Sequence, residues 1–209
     1  MSESSIPPLI GAILAGGASS RFGSPKALAT VDGRRIIHRV RDALAGAVDE
    51  IVVIANEPEL FADLRLPVRG DRAPGLGPLA GVEAALRWAA ERGGEGALCV
   101  SCDLPFASAE VLRMVAARGD GARAVVPESG RGIEPLCAWY PAAALAHAER
   151  LLASDDRSMR ALLASVEAVR LPIDAVRRFG DPEVLFFNVN TRDDLERAQR
   201  LARRTDASS

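Results

Sequence analysis

The chain has 209 residues, 48% of them hydrophobic and 26% charged, with a net charge of −2. That length buries a sizeable core without covalent staples, and the balance is that of an ordinary folded α/β protein. The slight acidity excludes a global basic field for non-specific nucleic-acid binding. No stretch reaches the ~20 apolar residues of a membrane span.

The opening Met1-Ser2-Glu3-Ser4-Ser5-Ile6-Pro7-Pro8 has neither the basic region nor the apolar run of a secretory signal. Three cysteines, Cys99, Cys102 and Cys137, fit a reducing cytoplasm better than a disulfide framework. No internal repeat or clear linker breaks the chain, which reads as a single domain over 1–209 with an ordered core of about 9–202.

In chain order, Leu9–Ala15 reads as a buried strand. Ile36, Ile37, Val40 and Leu44 share one face of a helix over Arg35–Ala45. Ile51–Ala55 is the next strand, followed by a helix over Leu79–Glu91 and a strand over Gly96–Ser101. Ser108 stands where a cap belongs for a helix ending near Arg118. Strands are expected at Ala122–Pro127 and Ile133–Tyr140, then helices at Ala142–Ala153 and Ser158–Leu163. Further strands are expected at Val166–Leu171 and Val184–Phe187. The last helix starts at Thr191, where T-x-x-D is a capping signature, and its end from Arg203 to Ser209 is expected to fray. Continuous apolar strands alternating with helices predict an α/β fold with a mostly parallel sheet covered on both faces.

Leu14-Ala15-Gly16-Gly17-Ala18-Ser19-Ser20-Arg21-Phe22-Gly23-Ser24-Pro25-Lys26 follows the first strand directly. Paired glycines allow a sharp turn and bring backbone amides close to a ligand, where successive N–H groups form an anion nest. Arg21 and Lys26 add two cations, the parts needed to cradle a triphosphate and stabilise charge on phosphorus. The spacing matches neither a Walker A loop nor a G-x-G-x-x-G fingerprint. A plain strand-to-helix turn with solvated cations is the simpler alternative.

This L-A-G-G-x-S-x-R-x-G-x-x-K stretch resembles the signature of the MobA-like nucleotidyltransferases. The resemblance implies a three-layer Rossmann-like fold and transfer of GMP from GTP to the terminal phosphate of a molybdopterin-type acceptor. It implies Mg²⁺ as cofactor and transient contact with molybdoenzymes or their chaperones. Leu14, Ala15, Gly16, Gly17 and Lys26 are then nucleotide-binding, with Arg21, Lys26 and Asp103 catalytic.

Further motifs occur in the family's order. Asp71-Arg72-Ala73-Pro74-Gly75-Leu76-Gly77-Pro78-Leu79-Ala80-Gly81 is a Gly/Pro loop opening a helix, suited to backbone contacts with a ligand, although Pro78 also serves simply to start the helix. Its G-P-L-A-G resembles the guanine-side loop of guanylyltransferases, with Gly77, Pro78 and Leu79 on the nucleotide and Asp71 accepting from guanine. Asp103, in Cys102-Asp103-Leu104-Pro105, ends a buried strand. A carboxylate there suits Mg²⁺, which takes one or two carboxylates plus phosphate oxygens. C-D-x-P also resembles the family's metal motif. Asn188-Val189-Asn190-Thr191 resembles the C-terminal motif on the acceptor side, so Asn188 and Asn190 are assigned to the acceptor, with local cap chemistry as the alternative. Asn56 aligns with a nucleotide-contacting position and equally suits a loop polar residue.

The chain departs from the guanylyltransferase pattern in two places. Pro25 precedes Lys26 as in cytidylyl relatives, and Glu134-Pro135-Leu136 stands where a His-Pro pair is common. Three other readings stay open: a cytidylyl- or sugar-phosphate nucleotidyltransferase, a non-catalytic nucleotide or cofactor carrier, and a dinucleotide-dependent oxidoreductase. Cys99-x-x-Cys102 lacks a second pair for zinc, and residues three apart on a strand point to opposite faces. Arg197, Arg200, Arg203 and Arg204 read as a solvated helix face.

Overall fold

A computed structural model describes residues 6–16, 29–72 and 74–206. The chain begins with β1 (Ile10–Leu14), then a short antiparallel pair, β2 (Thr30–Val31) and β3 (Arg34–Arg35), and α1 (Ile36–Ala45). The pair turns through Asp32 and Gly33, both at positive φ. Next come β4 (Glu50–Ile54), a 3-10 segment (Pro58–Leu64), β5 (Val68–Arg69) and α2 (Pro78–Glu91). After β6 (Gly96–Ser101) and α3 (Ala109–Ala116), β7 (Ala124–Ser129), β8 (Gly132–Ile133) and β9 (Cys137–Pro141) form an antiparallel excursion. The chain ends with α4 (Ala144–Leu152), α5 (Met159–Ser165), β10 (Ala168–Leu171), α6 (Ile173–Arg177), α7 (Pro182–Leu185) and α8 (Arg192–Asp206).

The main sheet has the order β10-β7-β9-β6-β1-β4-β5, with β8 paired to β7. β1 runs parallel to β4 and β6, β4 parallel to β5, and β10 parallel to β7. β9 is antiparallel to both its neighbours. The fold is thus mostly parallel α/β with helices on both faces.

Alternation along the strands explains the two layers. Ile13, Val53, Leu98, Val100, Val125 and Trp139 face a core closed by α1, α3 and α8. Ile10, Ala12, Leu14, Val52, Ile54, Cys99 and Tyr140 face the second core, under α2, α4 and α5. The strands are apolar on both sides because both sides are covered. At Gly96 a Cβ would meet the Tyr140 carbonyl oxygen at 2.3 Å, so the β6–β9 pairing requires glycine there.

The sequence places most elements to within a few residues, but three expectations change. Val184–Phe187 is not a strand: Pro182–Leu185 is a helical turn, begun by Asp181, whose carboxylate accepts from the Glu183 amide at 3.0 Å, and by Pro182 at the first position. A run of four apolar residues, three of them buried, carries no period, and the Asp-Pro start signal decides it. Ile133–Tyr140 divides into β8 and β9, because Glu134, Pro135 and Leu136 turn the chain between antiparallel pairings. The last helix continues through Asp206 instead of fraying at Arg203.

The capping signature forms as expected. Asp194 Oδ2 accepts from the Thr191 amide and hydroxyl, both at 2.9 Å, and from the Asn190 amide at 3.1 Å. The Asp194 amide donates back to Thr191 Oγ1 at 3.1 Å. Burial pushes the Asp194 carboxyl up, but the Thr191 and Asn190 hydrogen bonds and the charge of Arg197 outweigh it, and its pKa lies below the ordinary aspartate value. A depressed carboxyl stabilises the fold above the unfolded pKa, near 3.8, and that contribution is lost as pH falls through the folded-state value. Thr191→Ala should cost about 1 kcal/mol in urea unfolding at neutral pH, and Asp194→Asn should flatten the acid limb of the stability profile.

Candidate active site

The carboxyl ends of β1, β4 and β6 meet at one edge of the sheet, where α/β folds bind ligands. Backbone hydrogen bonds hold them level: the Ala15 amide donates to the Ile54 carbonyl at 2.9 Å, and the Cys102 amide to the Leu14 carbonyl at 3.1 Å. Leu14 is buried, Ala15 half-buried and Gly16 exposed, so the chain emerges from the sheet here. Gly17, Arg21 and Lys26 lie outside the described residues.

Asn56 leaves the end of β4 and turns both functions of its side chain on Asp71. Its Nδ2 donates to Asp71 Oδ2 at 3.0 Å, and its Oδ1 accepts from the Asp71 amide at 3.0 Å. The two sit across Gly70, where a Cβ would come within 2.9 Å of Asn56 Oδ1, so the pairing needs a glycine between strand and acid. A Cβ on Gly16 would lie 3.7 Å from Asp71 Oδ2, which puts the exit of β1 beside the same carboxylate. Asn56 therefore braces Asp71, a relation between residues fifteen apart that no local motif announces.

Gly77 and Pro78 open α2 at the same edge. Gly81 packs on the ends of β1 and β4, 3.4 Å from Leu14 Cδ2 and 4.0 Å from Ile54 Cγ2, measured to an added Cβ. Leu79 is fully buried and anchors the first turn, whereas Gly77 and Pro78 are exposed. The helix start has no side-chain cap and no acidic residue in its first turn. The positive end of α2 therefore stays open toward the edge, an arrangement that favours anions. Gly77 adopts φ 82°, ψ −169°, a conformation that is essentially glycine-only. Gly77→Ala should cost on the order of 1–3 kcal/mol, read as a lower midpoint in chemical denaturation, and should disturb this loop first.

Asp103 follows β6 and is half-buried, with Oδ1 shielded from solvent. Its carbonyl accepts from the Val189 amide at 3.0 Å, which fastens the Asn188–Asn190 segment to the end of β6. Phe187 meets Phe106 edge-on, with centroids 6.5 Å apart, and seals the same junction. The fold thus brings the backbone next to Asn188 to the end of β6 beside Asp103. Asn190 is exposed, and its amide joins the Asp194 cap.

Among the described residues no group of three or more His, Cys, Asp and Glu side chains gathers as a metal cage. A hard, half-buried carboxylate at a strand end nevertheless fits Mg²⁺, which completes its shell with phosphate oxygens and water. Cys99 and Cys102 pack into opposite core layers, as strand geometry requires. Burial raises the Cys99 thiol far above its ordinary value, and burial together with the Glu134 charge pushes Cys137 up to about 12. Neither is a thiolate at neutral pH. His38 pairs with Asp63 at 2.8 Å and His147 with Arg150 at 2.9 Å, away from this edge in sequence and in partners.

The β7–β8 hairpin adds a polar cluster that no motif marks. Burial pushes the Glu134 carboxyl above the usual range, opposed by Ser129 and Arg131, whose side chains hydrogen-bond it at 2.6 and 3.5 Å. The signal for this turn was present as Ser129-Gly130-Arg131-Gly132 between two apolar runs.

Comparison with known proteins agrees with this geometry. The family described as "MobA-like NTP transferase domain" matches residues 11–171. A protein named molybdenum cofactor guanylyltransferase from Cereibacter sphaeroides is 36% identical over 198 residues, covering 94% of this chain and 98% of the relative. One of the same name from Rhodobacter capsulatus is 38% identical over 194 residues, covering 91% and 95%. The crystal structure of molybdopterin-guanine dinucleotide biosynthesis protein A from Archaeoglobus fulgidus superposes with a TM-score of 0.79 at 27% identity, over 94% of this chain and all of that one. A 4-diphosphocytidyl-2C-methyl-D-erythritol synthase from Anaerococcus prevotii shares the fold, at TM-score 0.70 and 16% identity.

A mostly parallel sheet with Gly16, Asn56, Asp71 and Asp103 at the carboxyl ends of its strands, in a chain that matches this family over most of its length, is that of a nucleotidyltransferase. The chain belongs to the MobA-like NTP transferase family, among proteins named molybdenum cofactor guanylyltransferase.

Proposed function

We propose that this enzyme transfers GMP from GTP to the terminal phosphate of a molybdopterin-type acceptor, forming a guanine dinucleotide and releasing pyrophosphate. The single observation that supports this reading best is the convergence on one sheet edge of Asp71, braced by Asn56, and Asp103, whose carbonyl holds the Val189 amide next to Asn188. In the proposed assignment Asp71 serves the base side, Asp103 the metal and the Asn188–Asn190 segment the acceptor side.

In this reading Leu14, Ala15, Gly16 and Gly17 follow the nucleotide with their backbone, and Gly77, Pro78 and Leu79 close the base side. Asp71, held in place by Asn56, accepts hydrogen bonds from the guanine N1 and N2 donors, which cytosine does not match. Asn188 and Asn190 meet the acceptor. A phosphate oxygen of the acceptor forms the new bond to the α-phosphorus of GTP as the bond to the pyrophosphate oxygen breaks. The attacking oxygen is already anionic, so no general base is needed. Asp103 holds Mg²⁺, which when bound neutralises charge on the phosphates. Arg21 and Lys26 stabilise the leaving pyrophosphate, and the protein's contribution is in-line positioning plus electrostatics. The three free cysteines, two of them buried, suit a reducing compartment, and we place the protein in the cytoplasm.

Thermal stabilisation by GTP, CTP, ATP and UTP, each with Mg²⁺, tests the reading. Ligand at a hundredfold its Kd stabilises the fold by about 2.7 kcal/mol. The gain should be selective for GTP and should shrink strongly in Asp103→Ala. Selectivity for CTP would move the reaction to a cytidylyltransferase, and binding without pyrophosphate release in the presence of acceptor would make the protein a carrier. In turnover assays Lys26→Ala should be slower by roughly two orders of magnitude, and near-normal turnover would remove Lys26 from the mechanism.

A further inference from the structure

The β7–β8 hairpin is held by internal polar contacts and joined to the C-terminal segment at Glu183 and Phe186. Ser129 Oγ donates to Glu134 Oε1 at 2.6 Å and accepts from the Arg131 amide at 3.1 Å. The Arg131 guanidinium reaches Glu134 Oε1 at 3.5 Å and also donates to the carbonyl oxygen of Phe186. One residue earlier, the Gly130 amide donates to Glu183 Oε1 at 3.0 Å. A Cβ at position 130 would press on that same carboxylate, so the Gly130–Glu183 contact in this form uses the absence of a side chain there.

Phe186 precedes Asn188 by two residues, and Val189 follows it. The Val189 amide is held by the Asp103 carbonyl at 3.0 Å. Asn188 is thus suspended between two anchors: Asp103 on its C-terminal side and Arg131 on its N-terminal side. The second anchor is charge-assisted at its Glu134 end. Glu134 itself is pinned at the sheet edge, because its amide donates to the Pro127 carbonyl at 2.9 Å and Leu136 accepts from the Ser101 amide at 2.8 Å. Arg131 therefore carries the position of the β6–β9–β7 edge into a segment that belongs to neither strand.

We propose that Arg131 is a positioning residue for the acceptor side, fixing the Phe186–Asn188 segment against Asp103 by bridging Glu134 to the Phe186 carbonyl. It does not touch the reacting phosphates and acts through Asn188. The inference rests on the reading of Asn188 as an acceptor contact, and it assigns acceptor affinity, separately from nucleotide affinity, to a residue outside every motif of the sequence.

Two readouts on wild type, Arg131→Ala and Arg131→Lys test it. In the free protein, amide hydrogen exchange of Phe187–Asn190 should speed up about tenfold in Arg131→Ala, as expected for loss of a hydrogen bond to a charged donor. Exchange of Ile10–Leu14 should stay unchanged, and Arg131→Lys, which keeps one donor and the charge, should fall between. In steady-state kinetics the acceptor KM should rise about tenfold in Arg131→Ala, while kcat and the Kd for GTP with Mg²⁺ stay near wild type. Unchanged exchange at Phe187–Asn190 would overturn the anchoring. An unchanged acceptor KM, or GTP affinity falling in the same proportion, would overturn the acceptor-side role. A wild type that turns over no acceptor would remove the proposed function, and the exchange alone would then decide the anchoring.

Discussion

The site depends on how β1 is held between β4 and β6. Five parallel residue pairs on each side fix its register, from Ile10 opposite Glu50 and Ala97 to Leu14 opposite Ile54 and Ser101. At the carboxyl end the ladder continues one step beyond the strands, through the Ala15 amide to Ile54 and the Cys102 amide to Leu14. Asn56, Gly16 and Asp103 therefore leave the sheet at one level. A two-residue slip of β6 against β1 would preserve the apolar faces and still move Asp103 by roughly 7 Å along the sheet. Correct alternation alone would not assemble the site; the register does.

The register is enforced by packing on both faces rather than by ion pairs. Each buried Val, Leu or Ile contributes about 1.5–3 kcal/mol through burial, and the central strands point such residues alternately into the two cores. The exposed pairs, such as Arg177 with Asp174 and Arg200 with Glu196, are worth about 0–1 kcal/mol each. Glycine acts where neighbouring side chains or backbone leave no room for a Cβ. At Gly11 a Cβ would press on Val48 and Leu44 at 2.9 and 3.0 Å, and at Gly96 on the β9 backbone. Rigidity of this frame is what allows short polar contacts at its rim, such as the Asn56–Asp71 exchange, to hold a defined geometry.

Much of this was legible in the sequence because the strands are buried on both sides. Leu9–Ala15, Ile51–Ala55 and Gly96–Val100 are continuous runs without a charged or hydroxyl side chain, followed by Gly16, Asn56 and Ser101, and that pattern has few readings. Asp103 and the capped helix after Thr191 followed from strand-end chemistry and from T-x-x-D. The hairpin of β2 and β3 was missed because two-residue strands carry no period. Val184–Phe187 was misread because four apolar residues look alike in a strand and in a helical turn. The Asn56–Asp71 brace and the Arg131 bridge were invisible for another reason: each joins residues fifteen or more apart, and only the completed fold sets their distance.

On the proposed function, one sheet edge joins a guanine nucleotide to a phosphorylated acceptor. Parallel reactions with GTP labelled at the α- or the γ-phosphate, with and without molybdopterin, test it most directly. α-Label should move into the acceptor product in a 1:1 ratio with pyrophosphate, γ-label should appear only in pyrophosphate, and neither should be released without acceptor. Retention of α-label in free GTP with acceptor present, or release of γ-label as inorganic phosphate, would contradict it.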